Sequence, residues 1–190
     1  QRVVQALGLD VVPFPSHRRP GEVRRDDPFI DRDNSLCILC GRCVRMCQEV
    51  RGASVLTFVS RGSETVIGTA LDRRLLDSGC QFCGACVDVC PTGSLTERAL
   101  RYERTAETES KTVCPLCGQG CRLLVTSRQG RILGSAPDPA GPANGGQACV
   151  KGRFLVRSAL THPRRLPNPL IRENGGLRKA SWEEALALAA

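Results

Sequence analysis

Hydrophobic and polar positions change their pattern several times along this chain. Residues 1–36 show neither a helical nor a strand period. Pro13, Pro15, Pro20 and Pro28 punctuate scattered arginines there, and the stretch reads as an extended lead-in from a preceding domain. Residues 53–68 are rich in Val, Thr and Ser and predict a strand pair turning near Arg61-Gly62. Thr69 to Ser78 predicts a short helix, and Thr92 or Ser94 could cap another running to about Arg104. Residues 105–111 are polar without apolar periodicity and predict a linker. Beyond it, Arg122–Thr126 and Arg131–Gly134 flank Gln129-Gly130, and Leu170–Arg172 and Leu177–Lys179 flank Asn174-Gly175; both are hairpin signals. Residues 135–148 are rich in Pro and Gly and predict loop. Ser181-Trp182-Glu183-Glu184 is a capping box opening a last helix, with Trp182 expected in the core. Short strands mixed with short helices place the chain in the α+β class.

Cysteine spacing divides the chain more sharply than hydropathy does. Cys37-Ile-Leu-Cys40-Gly-Arg-Cys43-Val-Arg-Met-Cys47 recurs as Cys80-Gln-Phe-Cys83-Gly-Ala-Cys86-Val-Asp-Val-Cys90, with the four Cys, the Gly and one Val in register. Two copies of one unit predict two similar halves over residues 37–104. A different motif, Cys114-Pro-Leu-Cys117-Gly-Gln-Gly-Cys121 followed by Cys149, marks a second domain over residues 112–190.

Twelve Cys among 190 residues, with aromatics at only 4%, imply that thiol chemistry supports both fold and function. Disulfide scaffolds seldom place cysteines in C-x-x-C-x-x-C runs. The formal charge of +8 counts the thiols as neutral. Twelve thiolates on three oxidised [4Fe–4S] cores would lower it to about +2. The basic surplus therefore balances clusters and does not point to nucleic acid; the single Trp and single Tyr offer no stacking platform. No 18-residue apolar run predicts a membrane span. The chain begins at Gln1 without a signal peptide and stops inside an apparent helix, so it reads as part of a longer polypeptide.

The first eight cysteines have two-cluster ferredoxin spacing, in which the fourth Cys of each run serves the other cluster. Cys37, Cys40, Cys43 and Cys90 are expected to hold one [4Fe–4S] cluster, and Cys80, Cys83, Cys86 and Cys47 the other. Pro91 fits the C-P ending, whereas Gln48 after Cys47 departs from it. Zinc usually takes two separated C-x-x-C pairs and fits these triplets poorly. Cys114, Cys117, Cys121 and Cys149 could on spacing alone hold zinc or a third cluster; beside a ferredoxin pair the third cluster is the simpler reading.

The third motif carries a resemblance. Its Cys-x-x-Cys-x-x-x-Cys, then Asn144-x-Gly146-x-x-Cys149-Val-Lys151-Gly152-Arg153-Phe154, resembles the N-terminal cluster domain of molybdopterin oxidoreductases. His162-Pro163-x-Arg165-Leu166-x-x-Pro169-Leu170-Ile171-Arg172 and Ala180-Ser181-Trp182-x-Glu184-Ala185 look like that domain's continuation, with Leu155 standing where Gly is usual. The whole order is similar to the catalytic alpha subunit of cytoplasmic NAD-linked formate dehydrogenases. This implies an electron relay of three [4Fe–4S] clusters. It also implies a bis-molybdopterin guanine dinucleotide with Mo or W, held by a C-terminal molybdopterin domain of the same chain, where formate is oxidised to CO2. A flavin/NAD-binding iron–sulfur partner subunit would receive the electrons. Lys151 matches a family lysine that bridges the third cluster to the pterin, and the residues of the substrate site lie outside this sequence. The large iron–sulfur subunit of NADH dehydrogenase and iron-only hydrogenase are the alternatives; a zinc scaffold is the non-enzymatic one. His17, His162, Arg18-Arg19 and Arg24-Arg25 read as solvent-facing or capping, the arginines alternatively as contacts to an adjacent domain.

Overall fold

The computed structural model describes residues 5–8 and 23–190. It divides into two units, Gln1–Glu103 and Arg104–Ala190. The first holds β1 (Val23–Arg24), β2 (Ile30–Asp33), α1 (Arg42–Arg45), β3 (Thr57–Val59), β4 (Val66–Gly68), α2 (Ala85–Asp88) and β5 (Leu95–Glu97). A wide π-turn, Met46–Val50, continues α1. β3 and β4 form the hairpin expected within residues 53–68.

The expected lead-in is part of this unit from Val23 onward, while most of residues 1–22, with His17 and Arg18-Arg19, lies outside the described residues. β2 is the central strand of an antiparallel β1-β2-β5 sheet, paired Val23 to Asp33 on one side and Arg32 to Leu95 on the other. All four β2 residues are buried. Three of the four are charged, so hydropathy could not reveal the strand. Period-two alternation puts Ile30 and Arg32 on one face and Asp31 and Asp33 on the other. Asp31 accepts from Arg98 Nε (2.8 Å) and Arg101 Nη1 (3.3 Å). Arg24 pairs with Asp26 and Asp72, and Arg25 donates to the Tyr102 hydroxyl, so these arginines tie the unit together.

Two expected helices are absent. Over residues 69–78 the chain makes two single 3-10 turns, broken where Leu71 and Asp72 take left-handed φ of 57° and 53°. Tertiary contacts outweigh local propensity here: Leu75 is buried, and Asp27 Oδ1 accepts the Leu76 N–H at 3.0 Å. After Cys90, Leu95–Glu97 extends as β5, with Leu95 and Glu97 both buried, instead of coiling into a helix toward Arg104.

The second unit begins with β6 (Thr108–Val113), which occupies most of the expected linker. Every residue of β6 is exposed, so it lacks the apolar alternation that marks a half-buried strand. It borders the antiparallel sheet β6-β7-β8, with β7 Arg122–Arg128 and β8 Arg131–Pro137. Gln129 and Gly130 both adopt left-handed φ, 49° and 74°, the geometry of a type I′ hairpin. A π-turn, Lys151–Leu155, leads into α3 (Val156–Leu160). Leu123, Val125, Val156, Ala148 and Cys114 form the core between sheet and helix. The β9–β10 hairpin (Leu170–Glu173, Gly176–Lys179) precedes α4 (Trp182–Ala189). Ser181 Oγ accepts the Glu184 N–H at 3.0 Å, but the Glu184 carboxylate turns to Arg178, so only half of the capping box forms. Trp182 is 68% exposed, contrary to its expected core position. Only Ala185 of α4 is even half-buried, so the helix turns its tryptophan away from the described residues. No described helix is long and apolar enough to cross a membrane.

Candidate metal centres

The internal repeat in sequence is a repeat in backbone. In each C-x-x-C loop the residue before the second Cys is left-handed although it is not glycine: Leu39 at φ 55° and Phe82 at φ 46°. That conformation is unfavourable for bulky residues. It turns the Leu39 N–H onto Cys37 Sγ (3.5 Å) and the Phe82 N–H onto Cys80 Sγ (3.4 Å). Gly41 and Gly84 follow at φ 70° and 76°, and each starts the helix bearing the third cysteine of its run. A Cβ on Gly41 would also meet the Arg45 guanidinium at 3.0 Å and the Phe58 ring at 3.1 Å.

These loops surround two small cavities. Cys37, Cys40, Cys43 and Cys90 line the first. Cys47, Cys80, Cys83 and Cys86 line the second. Each cavity thus takes three thiols from one run and the fourth from the other. Leu56, 2% exposed, lines both, so the cavities are neighbours across one side chain. Two further amides point at sulfur: Val55 N–H to Cys47 Sγ (3.3 Å) and Leu95 N–H to Cys90 Sγ (3.5 Å).

Electrostatics follow the same grouping. Burial pushes the Cys43 thiol up to about 11, helped by Cys37, Cys90 and Cys40. Burial likewise takes Cys80 to about 11, with Cys83, Cys47 and Asp27 adding, and raises Cys86 well above the ordinary thiol value. At Cys90 burial is outweighed by the amides of Leu95, Thr92 and Ser94 and the Thr92 hydroxyl, which lower it. Like charges crowded in this way need a cationic body between them before all can ionise.

In the second unit Cys114 is buried, Cys121 half-buried, and Cys117 and Cys149 exposed. The Cys114 N–H donates to the Cys121 carbonyl (2.8 Å) and closes the loop, with Gly120 at φ 74°. Burial and then the Cys114, Cys117 and Cys149 thiols raise Cys121, so all four act on one region. Sequence reasoning gave Asn144 no role. Its side chain accepts from Arg122 N–H (2.9 Å) and donates to the Arg122 carbonyl (3.2 Å) and the Gln147 carbonyl (2.7 Å). It fastens the residue after Cys121 to the loop that delivers Cys149. Asp138 steadies the same loop by accepting from Ala140 N–H (2.9 Å) and Arg122 Nε (2.7 Å). Among the described residues, no three His, Cys, Asp or Glu side chains are grouped to hold a single ion. Four thiols line each of the first two cavities without converging as one zinc at about 2.3 Å from each sulfur would require, and a larger core would have to bridge them.

Lys151 is exposed, two residues after Cys149, and engages none of the described residues by hydrogen bond or ion pair. Gly152 beside it packs on Cys114 and Leu123, and its carbonyl accepts from Ser135 Oγ at 2.8 Å. Arg153 is buried against the Ser135 carbonyl. Leu155, the departure from the resembled motif, is 38% exposed and leaves the core undisturbed. His162 is exposed, and its Nδ1 accepts the Arg164 N–H at 3.1 Å, a local turn contact.

Comparison with known proteins agrees with this division. Residues 107–160 match the molybdopterin oxidoreductase Fe4S4 domain, and residues 27–96 match the ferredoxin-like domain of NADH-quinone oxidoreductase subunit 3. An NADH-quinone oxidoreductase subunit of Rhizobium meliloti (strain 1021) is 39% identical, over 87% of this chain and 21% of its own. NADPH-Fe(3+) oxidoreductase subunit alpha of Geobacter sulfurreducens is 36% identical, over 89% of this chain and 19% of its own. A Staphylococcus aureus (strain USA300) protein with formate dehydrogenase in its name is 29% identical, over 96% of this chain and 22% of its own. The chain thus spans about a fifth of the length of these curated relatives. The ferredoxin-like match begins at Asp27, ten residues before the first cysteine and just ahead of the buried strand β2.

Proposed function

Because a ferredoxin-like domain is joined here to a molybdopterin oxidoreductase Fe4S4 domain, we propose that this chain is the three-cluster electron relay of a nicotinamide-linked molybdopterin-type oxidoreductase. The observation that carries it is the crossed sharing of thiols between two adjoining cavities. When bound, each [4Fe–4S] core supplies storage for one electron. Cys37, Cys40, Cys43 and Cys90 hold the first, Cys47, Cys80, Cys83 and Cys86 the second, and Cys114, Cys117, Cys121 and Cys149 the third.

The chain's own groups do the tuning. Amides of Leu39, Val55, Phe82 and Leu95 donate to thiolate sulfur, which stabilises the reduced state and raises the potential. Ile30, Leu56 and Leu75, each no more than 2% exposed, keep water from the cavity walls. Lys151 is the residue assigned to a pterin held by a C-terminal domain; its exposure beside the third quartet and its lack of a partner among the described residues support this role.

The finer form of the proposal is the alpha subunit of a formate dehydrogenase, with a flavin/NAD-binding partner and a cytoplasmic setting. Its support is the match of the His162–Arg172 and Ala180–Ala185 stretches to that family and the staphylococcal relative. The NADH dehydrogenase large subunit is the competing form, supported by the subunit 3 match and the Rhizobium relative.

The full-length protein decides between them. Its iron content, beyond any cluster bound outside this chain, should be about 12 per chain and should fall by about 4 in Cys149→Ala with the ferredoxin pair's EPR signal retained. Cys90→Ala should damage the cluster nested in the first run. Loss of only the Cys80-run signal in Cys90→Ala would overturn the crossed assignment. Bleaching of the clusters by formate under anaerobic conditions supports the formate form; clusters that dithionite bleaches and formate does not refute it.

A further inference from the structure

The cysteine shells of the two adjoining cavities are alike, but the strand behind them is not. β2 turns Ile30 and Arg32 to the same face, two residues apart; Ile30 lines the Cys47/Cys80/Cys83/Cys86 cavity and Arg32 the Cys37/Cys40/Cys43/Cys90 cavity. Arg32 is 4% exposed, yet its Nε and Nη2 have no hydrogen-bond partner. Its ion-pair neighbours lie off Nη2: Asp27 Oδ2 at 3.4 Å and Asp26 Oδ1 at 3.8 Å. A buried guanidinium with idle donors is costly unless something anionic meets it. The thiol-lined cavity it borders supplies that anion once four thiolates hold an iron–sulfur core there.

We propose that Arg32 is the potential-setting cation of the Cys37/Cys40/Cys43/Cys90 site, making it the higher-potential member of the adjoining pair. This rests on the cluster reading of that cavity. Arg32 donates from Nε toward the anionic core and places a positive charge beside it in a low-dielectric wall, offset in part by Asp27 and Asp26 beyond Nη2. One-electron reduction adds one negative charge to that core, so the cation favours the reduced form. The second cavity has the opposite bias. Its wall is mainly Ile30, Val55, Leu56 and Leu75, and the fully buried Asp27 carboxylate acts on Cys80. Arg51 also borders that cavity with its Nε buried, but the residue as a whole is only half-buried against 4% exposure for Arg32, so its charge lies nearer solvent and acts more weakly. An electron shared by the pair therefore rests on the first site, leaving the second oxidised.

The test is an EPR-monitored redox titration of the full-length protein, with signals assigned from Cys90→Ser and Cys47→Ser variants. Arg32→Leu alone would strand buried Asp27, so the comparison is made in an Asp27→Asn background. Arg32→Leu/Asp27→Asn against Asp27→Asn should lower the first site's potential by a tenfold change in the reduction equilibrium or more, at least 59 mV for one electron. The second and third sites should stay put, with iron content unchanged. Arg32→Lys should keep most of the potential. An unmoved first-site potential at full iron content overturns the inference while leaving the cluster reading intact, and so does an equal shift at both sites. Absence of iron from the wild-type cavity overturns both.

Discussion

Gly141→Ala tests whether the loop between Cys121 and Cys149 is held as tightly as its hydrogen bonds imply. A Cβ at residue 141 would stand 2.4 Å from Asn144 Oδ1 and 3.1 Å from the Asp138 carbonyl oxygen. The second atom is backbone and can barely give, so Asn144 must withdraw. Withdrawal breaks three bonds, from Arg122 N–H and to the Arg122 and Gln147 carbonyls. At about 0.5–1.5 kcal/mol net per bond, the loss is about 2–4 kcal/mol. In a unit of fewer than 100 residues that lowers Tm by roughly 10–30 °C. Asn144→Ala removes the same bonds without the clash and should fall in the same range. Both variants should lose the Cys114/Cys117/Cys121/Cys149 cluster faster on exposure to a chelator, with the other two sites unaffected. Calorimetry and the EPR signal of the third site give the readout. Gly141→Ala with wild-type Tm and wild-type metal retention would refute the argument that Asn144 clamps this loop.

Four further outcomes are expected. Asp31→Asn removes the charge that Arg98 and Arg101 share, and should cost about 1–3 kcal/mol in urea unfolding of the first unit. Ser181→Ala deletes the cap on Glu184 N–H, costing about 1 kcal/mol, read as faster amide exchange confined to residues 182–189. The metal-free protein should show a pH limit set by Cys43 and Cys80, whose thiols rise from 9.0 to about 11 on folding. A raised thiol value favours the neutral form, so this stability is complete below pH 9 and disappears as pH climbs through 11; thermal melts from pH 8 to 11 check the sign. Lys151→Ala should slow reduction of the third cluster by substrate with metal content unchanged, and unaltered single-turnover rates would remove Lys151 from the relay.

The grouping of the first eight thiols around two cavities was legible because three of each four sit in one tight loop, and that constraint writes itself as local spacing. The Gln129-Gly130 and Asn174-Gly175 hairpins, whose turn residues all take left-handed φ, and the Ser181 cap were legible for the same reason: each depends on two to four adjacent residues. What spacing could not reveal is set by partners far along the chain. β2 is a buried strand made of Ile30, Asp31, Arg32 and Asp33, and its charges are tolerated only because Asp27, Arg98 and Arg101 close around it. Leu95–Glu97 runs into the helix-favouring residues Arg98, Ala99 and Leu100, yet it is drawn into β5 by pairing with that strand. β6 has no apolar face at all, so its strand character comes from register with β7. Arg32 and Asn144 were missed as site residues because each is recognised by where its atoms point, and nothing nearby in sequence marks that direction.

The burial of β2 also sets the limits of dissection. A fragment cut at Cys37 would keep every thiol of the ferredoxin pair and still discard the middle strand of its sheet. Leu95 would lose its pairing partner, and with it the amide that meets Cys90; the second cavity would lose the Ile30 wall; Arg98 and Arg101 would be left facing an absent Asp31. Such a peptide contains every ligand and should still fail to assemble. The smallest autonomous piece of this electron conduit starts no later than Val23, well before anything that resembles a binding motif.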